Sequence, residues 1–404
     1  MAFEYRGVLL DDARHFHGLD CAKELIDVMA RLGYNTLQWH ISDDQGFRLT
    51  LPGFEKLAQH SSRRAGTNVG GYYKNAPGGP AHEGIYSEAD VKELVAYAAE
   101  RGIEVMPELD MPGHFSAILS AYPEYGCGGE AYDVPGRFGV LENTLCLGND
   151  EAREFAKKLC LAVARQMGAK KMHIGFDEIK TNKMCECEKC RARTKKLGLS
   201  SVKELIPLFR REVAEMLGDN GIRAFAWNDE SSVTSEDLSV TMMHWRPETS
   251  RETAGYIDRG QRIVMCDFYH AYADYPYCMT PLKKTLRYKS SLCGVTKQEN
   301  IIGMQCCIWS EFISDDRKIP YLAYYRLAAL AENWREGGKR PYREFIADLR
   351  AHEKELFGRE LRLGENILNP CFPVRLVRFA ICMLKDSEYE FRLWLNESGN
   401  EFGV

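Results

Sequence analysis

Short apolar runs of strand length recur eight times along the chain, and nearly every one ends in a cluster of polar or aromatic residues. The runs span residues 7–10, 34–40, 103–107, 171–175, 222–227, 240–245, 262–266 and 302–308. Their exits carry, in order, Asp11 and Arg14; His40, Asp43 and Asp44; Glu108, Asp110 and His114; Asp177 and Glu178; Trp227 and Asp229; Trp245; Tyr269, Tyr272 and Asp274; Trp309 and Glu311. Between the runs, apolar residues return at helical spacing, as in Ala22, Leu25, Ile26, Met29 and Leu32. Ser87 stands three residues before Asp90, a helix-start pattern. Alternating strands and helices admit an open doubly wound sheet or a closed (β/α)8 TIM barrel. An open sheet would gather only the exits at its switch point, whereas a barrel brings all eight to one face. No Gly-x-Gly-x-x-Gly turn follows the first run. The expectation is therefore a barrel over 1–336, with a Gly-rich rim loop at 52–86 and a helical extension over 337–404 packed on it.

Bulk properties narrow the function classes. The chain has 404 residues, with 53 Lys and Arg against 58 Asp and Glu, a formal net charge of −5. That balance gives no electrostatic reason to expect nucleic acid or an anionic membrane as a partner. No apolar stretch approaches the length of a membrane span. The opening residues lack a basic segment followed by an apolar one, and most of the 14 cysteines lie in apolar segments. Both features lead us to expect a cytoplasmic protein with free thiols.

The chemistry concentrates at the exits. Asp177 and Glu178 follow an apolar run directly, and two carboxylates held close separate in pKa, which suits an acid beside a fixed anion. Acidic residues at a helix start are the bland alternative. Four of the six tryptophans, Trp39, Trp227, Trp245 and Trp309, lie at or near strand ends. Flat aromatic walls among carboxylates and an arginine suit a sugar, which presents apolar C–H faces and polar hydroxyl edges. Paired carboxylates are the usual requirement for glycoside cleavage. His114 could orient one of them. His-x-x-x-His spacing is absent, so no catalytic metal and no cofactor are expected. Cys185, Cys187 and Cys190 stand apart as candidates for a structural zinc site whose fourth ligand would come from elsewhere. Free thiols at a solvated helix start are the competing reading.

Several stretches together resemble the glycoside hydrolase family 20 β-N-acetylhexosaminidases. They are residues 6–16 (RGVLLDDARHF), 39–48 (WHISDDQGFR), 107–114 (PELDMPGH), 173–178 (HIGFDE), 272–275 (YADY) and 309–311 (WSE). The resemblance implies an exo-acting, retaining, substrate-assisted hydrolysis of terminal β-linked GlcNAc or GalNAc through an oxazolinium intermediate. Glu178 matches the general acid/base, Asp177 the residue that orients the acetamido group, and Tyr272 a hydrogen-bond donor to it. Asp43 and His114 are similar to the support of the acid. Arg14, His40, Asp110, Trp227, Trp245, Asp274, Trp309 and Glu311 are expected to bind the sugar. The chain departs from the family pattern at Phe176, where a second Gly is common, and at Phe47, where Trp is common. It also begins its first strand without the small α/β domain that often precedes the barrel. A 6-sulfated or extended sugar, a catalytically silent sugar-binding barrel and a metal-dependent hydrolase are the alternatives. A homodimer is a further expectation.

Overall fold

The computed structural model describes residues 3–73, 76–229 and 238–398. Eight parallel strands form the barrel: β1 (Tyr5–Asp11), β2 (Thr36–Asp43), β3 (Glu104–Met111), β4 (Lys171–Gly175), β5 (Arg223–Trp227), β6 (Val240–His244), β7 (Ile263–Met265) and β8 (Ile301–Ile308). Each pairs with the next, and β8 returns to β1 in register from Tyr5 opposite Gly303 to Leu10 opposite Ile308. Closure removes both sheet edges and decides against the open sheet. The eight apolar runs are these strands, displaced by at most a few residues at either end.

Helices α1 (Gly18–Leu32), α2 (Glu88–Ala99), α3 (Asp150–Met167), α4 (Leu205–Asp219), α5 (Ser250–Asp258) and α6 (Tyr325–Glu336) surround the strands. In α1 the residues that repeat at helical spacing, Ala22, Leu25, Ile26, Met29 and Leu32, are all buried. Ser87 caps α2 in a reciprocal box with Asp90. The result is two apolar layers. A large core fills the space between strands and helices, and a smaller one inside the barrel contains Leu9, Met106, Phe225, Trp227, Val264 and Trp309.

Alternation along a strand corrects one expectation. Trp39 faces the helices, where it is fully buried, packs against Tyr86 and donates its indole N–H to Asp12 at 2.6 Å. Its neighbour His40 points into the barrel. Trp39 is therefore core, and the mouth holds the other three tryptophans.

The rim loop contains a short helix, Glu55–His60, and two small antiparallel pairings, Arg63–Arg64 with His82–Glu83 and Asn68–Val69 with Ala76–Pro77. Beyond the barrel come α7 (Tyr342–Ala351), α8 (Phe372–Leu384) and α9 (Tyr389–Ser398), with shorter turns at Glu353–Phe357 and Glu365–Leu368. The extension meets the rim loop directly, because Tyr72 and Tyr73 N–H groups bond the carbonyls of Cys382 and Met383 at the end of α8. The outer face of α8 is apolar and exposed at Phe372, Leu376, Val377 and Leu384. No described helix is long and apolar enough to cross a membrane.

The cysteines divide more finely than their sequence setting indicates. Cys160, Cys266, Cys278, Cys306, Cys307 and Cys382 are buried, whereas Cys293 and Cys371 are exposed. Cys185 is exposed as well and stands outside the cluster formed by Cys187 and Cys190.

Candidate active site

The carboxyl ends of the strands converge on one mouth. The acid pair sits where β4 turns outward, in a backbone unusual for non-glycine residues: φ is +73° at Gly175, +69° at Phe176 and +50° at Glu178. Gly175 has no alternative, because a Cβ there would lie 1.5 Å from Asp110 Oδ1. Left-handed φ costs Phe176 about 1–2 kcal/mol. Its ring offsets this by full burial in the outer core near Phe209. The bulk of Phe176, where the family often has Gly, thus lies in the outer core and not in the pocket. His114, at φ +48°, completes a cluster of strained positions around the acid pair.

Ion pairs run as a chain from the barrel interior to the acid pair. Glu108, fully buried, accepts from Trp227 Nε1 at 2.8 Å and Gln38 Nε2 at 2.8 Å and lies 2.7 Å from His40 Nδ1 and 2.8 Å from His173 Nδ1. His40 Nε2 meets Asp43 Oδ2 at 3.0 Å, and Arg14 reaches that same oxygen at 2.7 Å while contacting Asp11 at 3.2 Å. Asp43 Oδ1 and Asp44 Oδ2 flank His114 Nδ1 at 3.3 and 3.2 Å. On its far side His114 Nε2 lies 3.7 Å from Glu178 Oε2 and 4.0 Å from Asp177 Oδ2.

This chain sets the protonation pattern. Burial alone would push His114 down, but Asp43, Asp44 and Glu178 hold it well above the usual imidazole range, so it is a cation. Burial pushes Asp177 up to about 7; cationic His114 opposes this, and Glu178 adds to it. Burial also raises Glu178, but His114 and Arg246 more than offset it, leaving that carboxyl below its usual value. Asp110 is driven well up by burial and by Asp177.

Arg246 is the member that sequence reading missed. Its guanidinium lies 3.2 Å from Glu178 Oε1, 3.7 Å from Asp229 Oδ2 and 4.3 Å from the centre of the Trp245 ring. Asp229 in turn accepts the Glu178 backbone N–H at 2.5 Å. The only signal was position, one residue beyond the strand-end Trp245. Glu108, Asp44 and Asp229 were visible as strand-end acids, but nothing in the spacing separated them from a solvated rim.

The opposite wall is aromatic. Tyr272 stands nearly parallel to Trp245 and to Tyr275, with ring centres 6.5 and 6.3 Å apart, and Trp309 is 6.0 Å away. Trp309 also lies 5.7 Å from Trp227, and Arg14 covers it at 4.8 Å. Tyr269, on the same strand exit, is exposed and packs on Phe268 outside this group. Asp274 and Glu311 complete the side near Arg14; burial and Glu311 raise Asp274 well above its ordinary value. Asp177 Oδ1, Asp274 Oδ1 and Trp245 Nε1 are buried without a hydrogen-bond partner among the described residues. A pocket that keeps such atoms unpaired is built to pair them with a ligand. His40 and Asp110 lie deeper than the sequence reading placed them, both fully or almost fully buried. There they brace Asp43 and Gly175 beneath the mouth.

Comparison with known proteins agrees with this geometry. The description "Glycosyl hydrolase family 20, catalytic domain" matches residues 3–337. A beta-hexosaminidase of Porphyromonas gingivalis is 29% identical over 368 residues, which cover 86% of this chain and 45% of that protein. One of Akkermansia muciniphila is 29% identical over 371 residues, covering 88% and 73%. The chain thus spans about half of the first relative. Among solved structures, a beta-N-acetylhexosaminidase superposes with a TM-score of 0.81 at 27% identity, over 91% of this chain and 80% of that one. The beta-N-acetylhexosaminidase of Bacteroides fragilis gives 0.75 at 26% identity, over 88% and 72%. With the match running through the whole barrel, the chain belongs to glycosyl hydrolase family 20.

Proposed function

We propose that this chain is a retaining, exo-acting β-N-acetylhexosaminidase that cleaves terminal β-linked GlcNAc or GalNAc by substrate-assisted catalysis. The observation that carries the reading is the joint placement of Asp177 and Glu178 on cationic His114, facing a tryptophan- and tyrosine-walled pocket. The substrate's acetamido oxygen attacks the anomeric carbon as the glycosidic C–O bond breaks. Glu178 gives its proton to the departing oxygen. Asp177 accepts the acetamido N–H and balances the charge of the oxazolinium ion. Water then adds to the anomeric carbon, returns a proton to Glu178 and reopens the ring with configuration retained.

The dyad shares one proton in this scheme. In the free enzyme Asp177 has the higher affinity for it. An acetamido N–H hydrogen-bonded to Asp177 favours its anion, which leaves the proton to Glu178. Tyr272 supports the acetamido oxygen, and Trp227, Trp245 and Trp309 enclose the sugar. Arg14, Asp274 and Glu311 bind hydroxyls at the closed end. Arg14 is already paired with Asp11 and Asp43, and Asp274 lies beside Glu311. Among the described residues at that end, two carboxylates and an already paired arginine suit an unmodified sugar better than a sulfated one.

The test compares an aryl β-GlcNAc with the matching aryl β-glucoside, together with inhibition by a GlcNAc-derived thiazoline. Rapid turnover of the first, negligible turnover of the second and tight thiazoline inhibition are expected. Equal rates on both glycosides would sink the substrate-assisted reading. Thiazoline binding without turnover of any glycan would identify a silent sugar-binding barrel instead.

A further inference from the structure

Four cysteines from two different loops converge on one point. Cys127 and Cys146 lie on the connection between β3 and α3; Cys187 and Cys190 follow β4. Their Sγ atoms all lie within 4.8 Å of one another. Cys127 to Cys190 measures 3.6 Å, Cys146 to Cys187 3.6 Å, and Cys146 to Cys190 3.9 Å. A zinc ion bound tetrahedrally by thiolates at ~2.3 Å would set its sulfurs about 3.8 Å apart. A disulfide needs about 2.05 Å, so none of these contacts is one.

The backbone around the cluster is built to aim it. Gly126 and Leu145 form an antiparallel bridge, with the Cys127 N–H on the Thr144 carbonyl and the Cys146 N–H on the Tyr125 carbonyl. This places Cys127 and Cys146 side by side. Leu145 N–H bonds the Pro112 carbonyl, tying the same hairpin to the end of β3. Cys187 caps the nine-residue helix Glu188–Lys196, and Cys190 lies in its first turn. The two loops approach so closely that a Cβ on Gly148 would come 2.2 Å from Cys190 N. Cys127, Cys146 and Cys190 are buried.

We infer that Cys127, Cys146, Cys187 and Cys190 form a structural zinc site that clips the loop carrying His114 to the loop carrying Asp177 and Glu178. Four protein thiolates close the coordination sphere, so the ion has no open position and takes no part in the sugar chemistry. Zn²⁺ displaces the thiol protons as it binds, with no change in oxidation state. Cys185 is not a ligand. The inference stands on this geometry alone and is independent of the proposed glycosidase activity.

Elemental analysis of the full chain, purified without chelator under mild reduction, tests it first. One zinc per chain is expected, released on titration with a mercurial and recorded by a chromogenic zinc indicator. Cobalt substitution should give the intense d–d and thiolate charge-transfer bands of a tetrahedral thiolate site. Cys190→Ser and Cys127→Ser should lose the metal, with Tm lower by more than about 5 °C. Cys185→Ser should retain both metal and Tm. Should the ligand variants fail to fold, the metal content and mercurial titration of the unaltered chain still decide. Substoichiometric zinc, disulfides within the cluster found by mass spectrometry without reduction, stoichiometric iron in place of zinc, or full zinc content in Cys190→Ser would each overturn the assignment.

Discussion

The two halves of the barrel mouth are made of different materials. The ends of β1 to β4 supply Asp11, Arg14, His40, Asp43, Asp44, Glu108, His114, Asp177 and Glu178, most of them locked in mutual ion pairs. The ends of β5 to β8 supply Trp227, Trp245, Tyr272 and Trp309 in a ring-to-ring wall. The difference separates two tasks. A buried ion-pair chain fixes proton positions and rigid geometry, because breaking it leaves an uncompensated charge. An aromatic wall supplies shape and apolar contact with little control over protons. Changes on the charged half should therefore act on kcat and on pH dependence, and changes on the aromatic half on KM.

Replacing the dyad itself should have the largest effect. Glu178→Gln should lower kcat by several orders of magnitude on a glycan, and by much less on an aryl glycoside whose leaving group needs no proton. Asp177→Asn should lose about 10²–10³ in kcat on both substrates, since it removes charge stabilisation, not the acid. Equal losses of Glu178→Gln on both leaving groups would contradict its role as the acid.

His114→Asn comes next, with about 10²-fold lower kcat/KM. Its pH profile is more telling than its magnitude. In the parent chain kcat/KM should be bell-shaped, since one shared proton must be present on the dyad. The acidic limb belongs to depressed Glu178 and the alkaline limb to Asp177, near pH 7. Cationic His114 lowers both carboxyls. Its removal should therefore shift both limbs to higher pH. A profile with unmoved limbs would mean that His114 only fills space.

Trp309→Ala, on the aromatic half, should raise KM about 30-fold, the loss of roughly 2 kcal/mol of buried apolar contact. kcat should change far less, because the contact is the same in ground and transition states. A fall in kcat as large as that of His114→Asn, at constant KM, would dissolve the distinction between the halves.

The charged half was also the more legible in sequence. Strand-end positions of Asp43, His114, Asp177 and Glu178 follow from apolar runs that end where a barrel strand must end, and closure brings them together. What the runs could not show was facing. Trp39 and His40 are adjacent, and only strand pleat and register send the tryptophan to the helices and the histidine to Glu108. Depth was hidden for the same reason: Asp110 is as polar as Asp177 but sits below it, against Gly175. The cysteine cluster shows the other limit. Cys185, Cys187 and Cys190 were readable as a group from spacing, though Cys185 falls outside the cluster, whereas Cys127 and Cys146 reach it across more than forty residues by way of a hairpin without helical or strand periodicity. Arg246 had no local signature beyond its place one residue past the strand-end Trp245.

That arginine sharpens the comparison, because it belongs by sequence to the aromatic half and acts on the charged one. It lowers Glu178 and is not among the largest influences on Asp177. Arg246→Ala should therefore move chiefly the acidic limb. The sign follows from the dyad: removing a cation raises the Glu178 pKa, so the doubly protonated, inactive form persists to higher pH and the acidic limb shifts upward. A partly exposed pair of this kind is worth at most about 1 kcal/mol, so the shift is the smallest of those expected. The same change favours the tautomer with its proton on Glu178, so the plateau of kcat/KM should hold or rise unless Arg246 also touches the sugar. Trp245→Phe, which keeps an aromatic face under the guanidinium, should leave the limb in place. An acidic limb that moves downward in Arg246→Ala, or an alkaline limb that moves with it, would show that Arg246 couples to the dyad by some route other than its contact with Glu178.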